Sequence, residues 1–223
     1  MELKTLASLF FLLSFAVYLL DMALLTFLNS RLAKEEKNHF RNSFPFEFYR
    51  QQNPRLRFVL YALVFLSLFF LLLGTSLYFV TFESIFAYAE LVIFGLVAVL
   101  MAAGNILPLS SYRSHLLTNL SSFLLLSLGM ILFAFQRIVP GAMIFPSEIL
   151  VPIAVLSGIL GFVSFFALFQ KKLLNWAKLD KAEENGATYY VKPKVNLLAL
   201  YEWIYFLLFE IQGLLFFFNI VFQ

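Results

Sequence analysis

Residues 58–107 read FVLYALVFLSLFFLLLGTSLYFVTFESIFAYAELVIFGLVAVLMAAGNIL, with Glu83 and Glu90 as the only charged side chains. A bilayer core about 30 Å thick is crossed by roughly 20 apolar residues in helical conformation. The run is therefore about twice as long as a single membrane span requires. We place the break at Glu83, which predicts two spans, 58–82 and 85–107, joined by a tight turn.

The composition of the whole chain agrees with a location in lipid. Hydrophobic residues make up 62% of the 223 residues and charged residues 13%, against roughly 45–50% and about 25% in soluble domains. A water-soluble globule of this composition would expose large apolar patches. The absence of cysteine also argues against a disulfide-stapled secreted module. The sequence predicts an integral membrane protein.

Four further apolar stretches flank this pair, which gives six predicted transmembrane helices. The predicted spans are 5–29, 58–82, 85–107, 116–136, 149–170 and 197–222. We expect one all-α transmembrane domain over residues 1–223. At the start of the second span, Asn53 and Pro54 are typical of a helix N-cap and first helical residue. In the last connection, the pair Asn185-Gly186 predicts a turn.

The basic residues predict the orientation of these spans, because Lys and Arg are retained on the cytoplasmic side. All of them except Lys4 and Arg137 fall in three alternate connections, 31–57, 108–115 and 171–196. We expect a multi-pass protein of the plasma membrane with three cytoplasmically connected helical hairpins and both termini extracytoplasmic. The basic loops should attract anionic lipid headgroups, which accounts for the pI of about 9.1 without a nucleic-acid partner.

The connection 31–57 contains an aromatic segment, Phe44-Pro45-Phe46-Glu47-Phe48-Tyr49-Arg50. Aromatic side chains beside arginines suit a segment at the level of the lipid headgroups. The same surface could instead dock a cytoplasmic partner. The sequence leaves these two interpretations open.

Four acidic residues fall inside predicted spans: Asp21, Glu90, Glu202 and Glu210. An acid at the centre of a membrane helix costs about 2.5–3.5 kcal/mol on insertion scales. No Lys, Arg or His lies inside any predicted span to pair with them. We therefore expect these carboxyls either to bond to neighbouring helices, within this chain or in a partner, or to face a hydrated passage or a bound cation.

Other polar side chains accompany these acids. Ser14 and Tyr18 share one helical face with Asp21, at spacings of four and three residues. Tyr205 and Gln212 add polarity to the last span, near Glu210.

Two spans carry faces of small residues, which allow helix backbones to approach closely. The third span has Gly95, Ala98 and Ala102, and the fifth has Gly158 and Gly161. These faces predict helix packing inside the chain or between subunits.

Enzyme chemistry finds no support in the sequence motifs. His39 and His115 fall in predicted cytoplasmic loops and lack metal-site spacing, so we predict no catalytic residue, metal or cofactor. We expect a non-enzymatic accessory, assembly or scaffolding subunit that packs against other membrane proteins or copies of itself. The alternative is a small carboxylate-dependent transporter or channel for protons or cations, with Asp21 and Glu210 at its centre.

Overall fold

The computed structural model describes residues 2–32, 38–82, 85–107, 112–138, 149–170, 180–184, 187–191 and 195–222. In this part of the chain the helices are α1 (Leu3–Ser30), α2 (Pro45–Arg50), α3 (Pro54–Val80), α4 (Ile85–Ile106), α5 (Tyr112–Ile138), α6 (Val151–Ala167) and α7 (Leu197–Val221). Two short strands, β1 (Asp180–Glu184) and β2 (Ala187–Val191), lie between α6 and α7.

Five of these helices, α1, α3, α4, α5 and α7, are long and apolar enough to cross a membrane. The chain is thus a helical, multi-pass integral membrane protein. The predicted span 149–170 corresponds to α6, which is apolar but has only 17 residues. The predicted break between the second and third spans falls between α3 and α4, with Glu83 itself outside the described residues.

Neighbouring helices in the chain pack in antiparallel pairs. In the pair α1 and α3, Ser14 lies against Ser67. Phe11, one turn earlier on α1, lies against Gly74, later on α3, with its ring 2.8 Å from the position that a Cβ at Gly74 would take. The pairs α4–α5 and α5–α6 also share extensive interfaces. The last helix, α7, contacts α1, α3, α5 and α6, so it lies at the centre of the bundle.

The buried face of α1 follows from the sequence. Its buried residues recur at alternating spacings of four and three: Ala7, Phe11, Ser14, Tyr18, Asp21 and Leu25. This period keeps one narrow stripe facing the neighbouring helices. The stripe includes three polar side chains, while large apolar residues between them, such as Leu20, are exposed to the lipid.

The aromatic segment of the first connection forms α2 and closes one end of the bundle. Phe44, Phe46, Phe48 and Tyr49 are each no more than 2% exposed. Their burial inside the chain contradicts a docking surface formed by these rings. The indole Nε1 of Trp203 donates to the carbonyl oxygen of Ser43 at 3.1 Å, which ties this segment to α7.

Two local predictions about helix ends have different outcomes. Asn53 caps α3, since its side chain accepts a hydrogen bond from the backbone N–H of Leu56 at 3.0 Å, as predicted. The second concerns α5, which begins at Tyr112, inside the connection predicted over 108–115. Arg113 and His115 therefore belong to the first turn of a helix.

The connection before α7 contains the antiparallel β1–β2 pair, in which Asp180 pairs with Val191 and Glu184 with Ala187. The all-α prediction holds for the bundle and omitted this small hairpin. The strands end and begin on either side of Asn185-Gly186, a pair that lies outside the described residues.

Candidate functional site

Buried polar side chains are concentrated on α7, where it faces the other helices. They are Glu202, Tyr205, Glu210, Gln212 and Asn219. Their partners lie on α1, α3, α5 and α6 and in the connection that precedes α6. Hydrogen bonds between helices are thus distributed along the interior of the bundle.

Glu210 occupies the middle of α7 and contacts serines from two other helices. The hydroxyl of Ser14 on α1 lies 2.9 Å from one carboxyl oxygen of Glu210 and 3.1 Å from the other. The hydroxyl of Ser67 on α3 lies 2.5 Å from Oε1. All three side chains are buried, so Glu210 faces the interior of its own chain and neither lipid nor a partner helix.

The two serines can satisfy Glu210 in either protonation state. Each hydroxyl carries one proton, and each Oγ also lies near the other serine's carbonyl oxygen, at 2.9 Å and 3.2 Å. Both hydroxyls can donate to an ionised carboxylate. Alternatively, both can donate to the carbonyls while a protonated Glu210 donates to a serine oxygen. The change requires only rotation of hydroxyl groups.

Asp21 lies two helical turns from Ser14 on the same face of α1, closer to α2. Its Oδ2 accepts a hydrogen bond from the phenol of Tyr49 at 3.0 Å, and its buried Oδ1 has no hydrogen-bond partner among the described residues. Burial, and then the neighbouring carboxyl of Asp21, raise the pKa of Tyr49 well above its ordinary value. The phenol is therefore held as a hydrogen-bond donor.

Tyr18 lies on α1 between Asp21 and Ser14 and is also buried. It interacts electrostatically with both Glu210 and Asp21. The predicted polar stripe of α1 thus faces the bundle interior, with Tyr18 between the two acids.

Glu202 has a basic partner, a histidine that lies outside the predicted spans. The Nε2 of His115 on α5 lies 2.8 Å from Glu202 Oε1. Asn119, one turn further along α5, donates to the same oxygen at 2.5 Å. The predicted solvated loop position of His115 is wrong, since its side chain is fully buried and packs edge-on against the rings of Phe44 and Phe46.

The sequence contained one signal for this pair. His115 and Asn119 are four residues apart and would share a face if the helix extended to them. Hydropathy alone set the start of the predicted span at residue 116.

Glu90 is buried on α4, away from the contacts of the other three acids. Its Oε1 accepts a hydrogen bond from the side-chain amide of Gln136 on α5 at 3.2 Å, and Oε2 has no partner in the described part of the chain. This pair joins α4 to α5 and does not share a hydrogen bond with the α1–α3–α7 cluster.

The remaining polar residues of α7 hold it to α6 and α3. Tyr205 donates to the carbonyl oxygen of Ser164 at 2.7 Å, and Gln212 accepts from Ser157 at 2.9 Å. Asn219 donates to the phenol of Tyr78 at 2.9 Å.

The small-residue faces differ in how closely they pack. A Cβ at Gly158 would lie 2.8 Å from Ala134, and one at Gly161 would lie 2.9 Å from the carbonyl oxygen of Ser127. Both glycines thus sit at the α5–α6 interface. On α4, a Cβ at Gly95 would meet nothing nearer than 3.7 Å.

Two further members of the α4 face complete this set. Ala98 is buried, and Ala102 is partly buried against the apolar core.

The partners of the four acids are polar side chains of the same chain. Among the described residues no group of three His, Cys, Asp or Glu side chains could hold a metal ion. Three of the four acids have hydroxyl or amide partners, and Glu202 has His115 and Asn119. None of these partners carries a permanent positive charge.

The chain matches no known protein-family profile, no curated protein and no solved structure.

Proposed function

We propose that the protein is a small carboxylate-dependent transporter or channel that moves protons across the membrane through the interior of its helical bundle. The observation that carries this proposal is Glu210, buried in mid-bundle between Ser14 and Ser67 in a network that accommodates both its protonation states. A group that accepts and releases a proton without structural cost is what a proton pathway requires.

Asp21 and Glu202 extend this site toward one end of the bundle. Along α7, Glu202 lies eight residues before Glu210, or about 12 Å, and along α1 Asp21 lies seven residues after Ser14, or about 10 Å. Asp21 and Glu202 therefore occupy the half of the bundle closed by α2. We propose that the proton passes through this half of the bundle, along Asp21 and Glu202, and then reaches Tyr18 and Glu210.

We also propose α6 as the sixth span. Seventeen residues extend about 25 Å, which is at the short end of the lengths that cross a bilayer. Together with the distribution of basic residues, six spans support three cytoplasmic connections and extracytoplasmic termini. We propose the plasma membrane as the location on the same grounds.

The direct test is proton flux in proteoliposomes that contain a pH-sensitive dye, driven by a potassium diffusion potential. Glu210→Gln and Asp21→Asn should abolish the flux, because each removes a titrating group while leaving hydrogen-bonding capacity in place. Glu2→Gln is the matched control, since Glu2 is an exposed acid that precedes α1, and it should leave the flux unchanged. Size-exclusion profiles identical to that of the unsubstituted protein would establish that the variants are folded.

Two outcomes would refute this function. One is flux at the normal rate in the Glu210→Gln variant. The other is no flux of protons, or of a panel of monovalent and divalent cations, with the unsubstituted protein.

A second candidate function is that of an accessory or assembly subunit in a larger membrane complex. It is supported by one face of α6, on which Ile159, Phe162, Val163 and Phe166 are all more than half exposed. If a partner helix covers this face, purification from native membranes in a mild detergent should retain a stoichiometric partner or a second copy. A lone monomer would count against this role.

A further inference from the structure

A cleft at the end of the bundle where α3 begins combines positive charge with an aromatic wall. Its volume is about 490 Å³, and its lining includes Arg50 and Arg57 together with Phe58, Tyr61, Phe65 and Ile106. Two other surface clefts, beside α6, are lined by apolar side chains alone. Lipid tails can cover those two clefts. They offer neither negative charge nor hydrogen-bond acceptors to the two guanidinium groups of the first cleft.

The two arginines are held in place by backbone groups. Arg57 donates through Nη2 to the carbonyl oxygens of Arg50 and Gln52, at 2.6 Å and 3.2 Å. Arg50 donates to the carbonyl oxygen of Ile106 at 3.3 Å, and its guanidinium lies 5.2 Å from the ring centre of Phe46. The contacts fix both side chains at the mouth of the cleft.

Their positive charge is not neutralised within the described part of the chain. No acidic side chain there forms an ion pair with Arg50 or Arg57, and the buried Nε–H of Arg57 has no hydrogen-bond acceptor. A buried donor without a partner is costly, and guanidinium groups match the oxygens of a phosphate in geometry and charge. An anion with several oxygens, bound in the cleft, would offset the charge of both arginines.

The aromatic residues that follow Arg57 along α3 indicate the length and the polarity of the ligand. Arg57 lies in the first turn of α3, and Phe65 lies eight residues further along, about 12 Å deeper into the span. Phe58, between them, is 74% exposed. A ligand that fills this cleft has an anionic head near the helix start and an apolar part that follows α3 into the bilayer.

We propose that the cleft binds one anionic phospholipid, with its phosphate between Arg50 and Arg57 and an acyl chain along the aromatic wall of α3. A zwitterionic lipid carries a positive group that these arginines would repel, so the site should prefer lipids with net negative charge. None of the residues that line the cleft belongs to the carboxyl network, so the proposal stands or falls independently of proton transport.

The test is native mass spectrometry of the detergent-purified protein, titrated with phosphatidylglycerol or with phosphatidylcholine of the same acyl chains. The unsubstituted protein should retain phosphatidylglycerol at the lower concentration. Arg50→Ala should raise the concentration required by about tenfold, as expected when one charge-assisted contact is lost. Arg55→Ala is the matched control. Arg55 is an exposed arginine in the first turn of α3, near Arg57, and it does not line the cleft.

Two additional arms separate the lipid from its soluble headgroup and guard against misfolding. Glycerol 3-phosphate should not displace the lipid at concentrations at which the lipid binds, and Phe58→Asn should weaken lipid retention. Arg57→Lys keeps a charge beside the carbonyls of residues 50 and 52 and should still weaken binding, because the planar fork is lost. Equal lipid retention by the Arg50→Ala and Arg55→Ala variants, or ready displacement by glycerol 3-phosphate, would overturn the proposal.

Discussion

The contact between Ser67 and Glu210 should contribute measurably to the stability of the bundle, because it joins α3 to α7 in the buried interior. Interhelical hydrogen bonds in membrane proteins average about 0.6 kcal/mol, with a maximum near 1.7 kcal/mol. A bond that involves a charged group is roughly twice as strong as a neutral one, and this one measures 2.5 Å. We expect a coupling free energy of about 1–1.5 kcal/mol.

A double-mutant cycle measures this coupling. The variants are Ser67→Ala, which removes only a hydroxyl, and Glu210→Met, which keeps the length of the side chain but removes both acceptors. Reversible unfolding in mixed micelles of mild detergent and SDS gives the free energy of unfolding for each variant and for the pair. Glu210→Gln is unsuitable here, since its amide oxygen would still accept from the serine.

Ser76 provides the control for this cycle. Its hydroxyl donates at 2.8 Å to the carbonyl oxygen of Leu72 in the same helix. Ser76→Ala combined with Glu210→Met should therefore be additive within about 0.3–0.5 kcal/mol. If the Ser67 pair were additive to the same degree, the inferred network around Glu210 would be refuted.

Two further predictions concern packing and the Asp21 contact. Gly161→Ala should lower the free energy of unfolding by about 1–3 kcal/mol, because the added Cβ would lie 2.9 Å from the backbone oxygen of Ser127. Gly95→Ala should be nearly neutral, because the nearest atom to its Cβ would be 3.7 Å away. Equal losses in thermal stability would contradict this difference. Tyr49→Phe should lower the free energy of unfolding by about 1 kcal/mol in the unsubstituted protein, because the phenol donates to the Asp21 carboxyl. In an Asp21→Leu background the same substitution should cost almost nothing. A similar cost in both backgrounds would mean that the bond does not stabilise the fold.

The five long apolar helices could be predicted from sequence because insertion in lipid depends on the local length and polarity of each segment. The ends of α3 and α7 fell within a few residues of the prediction, and the cap at Asn53 was recognisable from two adjacent residues. The pairing of His115 with Glu202 was not predictable in this way. It depends on how α5 packs beside α7, and a hydropathy window excludes the polar first turn in which His115 lies.

The aromatic segment around Phe46 illustrates a different limit of sequence reasoning. Phenylalanines beside arginines are compatible with the headgroup layer and equally with burial under a membrane helix bundle. What distinguishes the two is whether the bundle leaves a gap at its end. In this chain α2 contacts α1, α3, α4 and α7, so it closes that end over Asp21, and its rings enclose His115.

The choice of partners around the carboxyls bears directly on what they do. Lys or Arg beside a buried acid would hold it permanently ionised, as in a structural ion pair. Glu210 instead has two hydroxyl groups, Asp21 has a phenol, and Glu90 has an amide. Such partners leave the charge of the acid free to change, while burial of each carboxyl makes the change energetically significant. Helix packing alone would need only the hydrogen bonds, which an amide in place of each acid would supply at lower cost in lipid. The presence of titratable groups at these buried positions therefore supports the proposal that they bind protons.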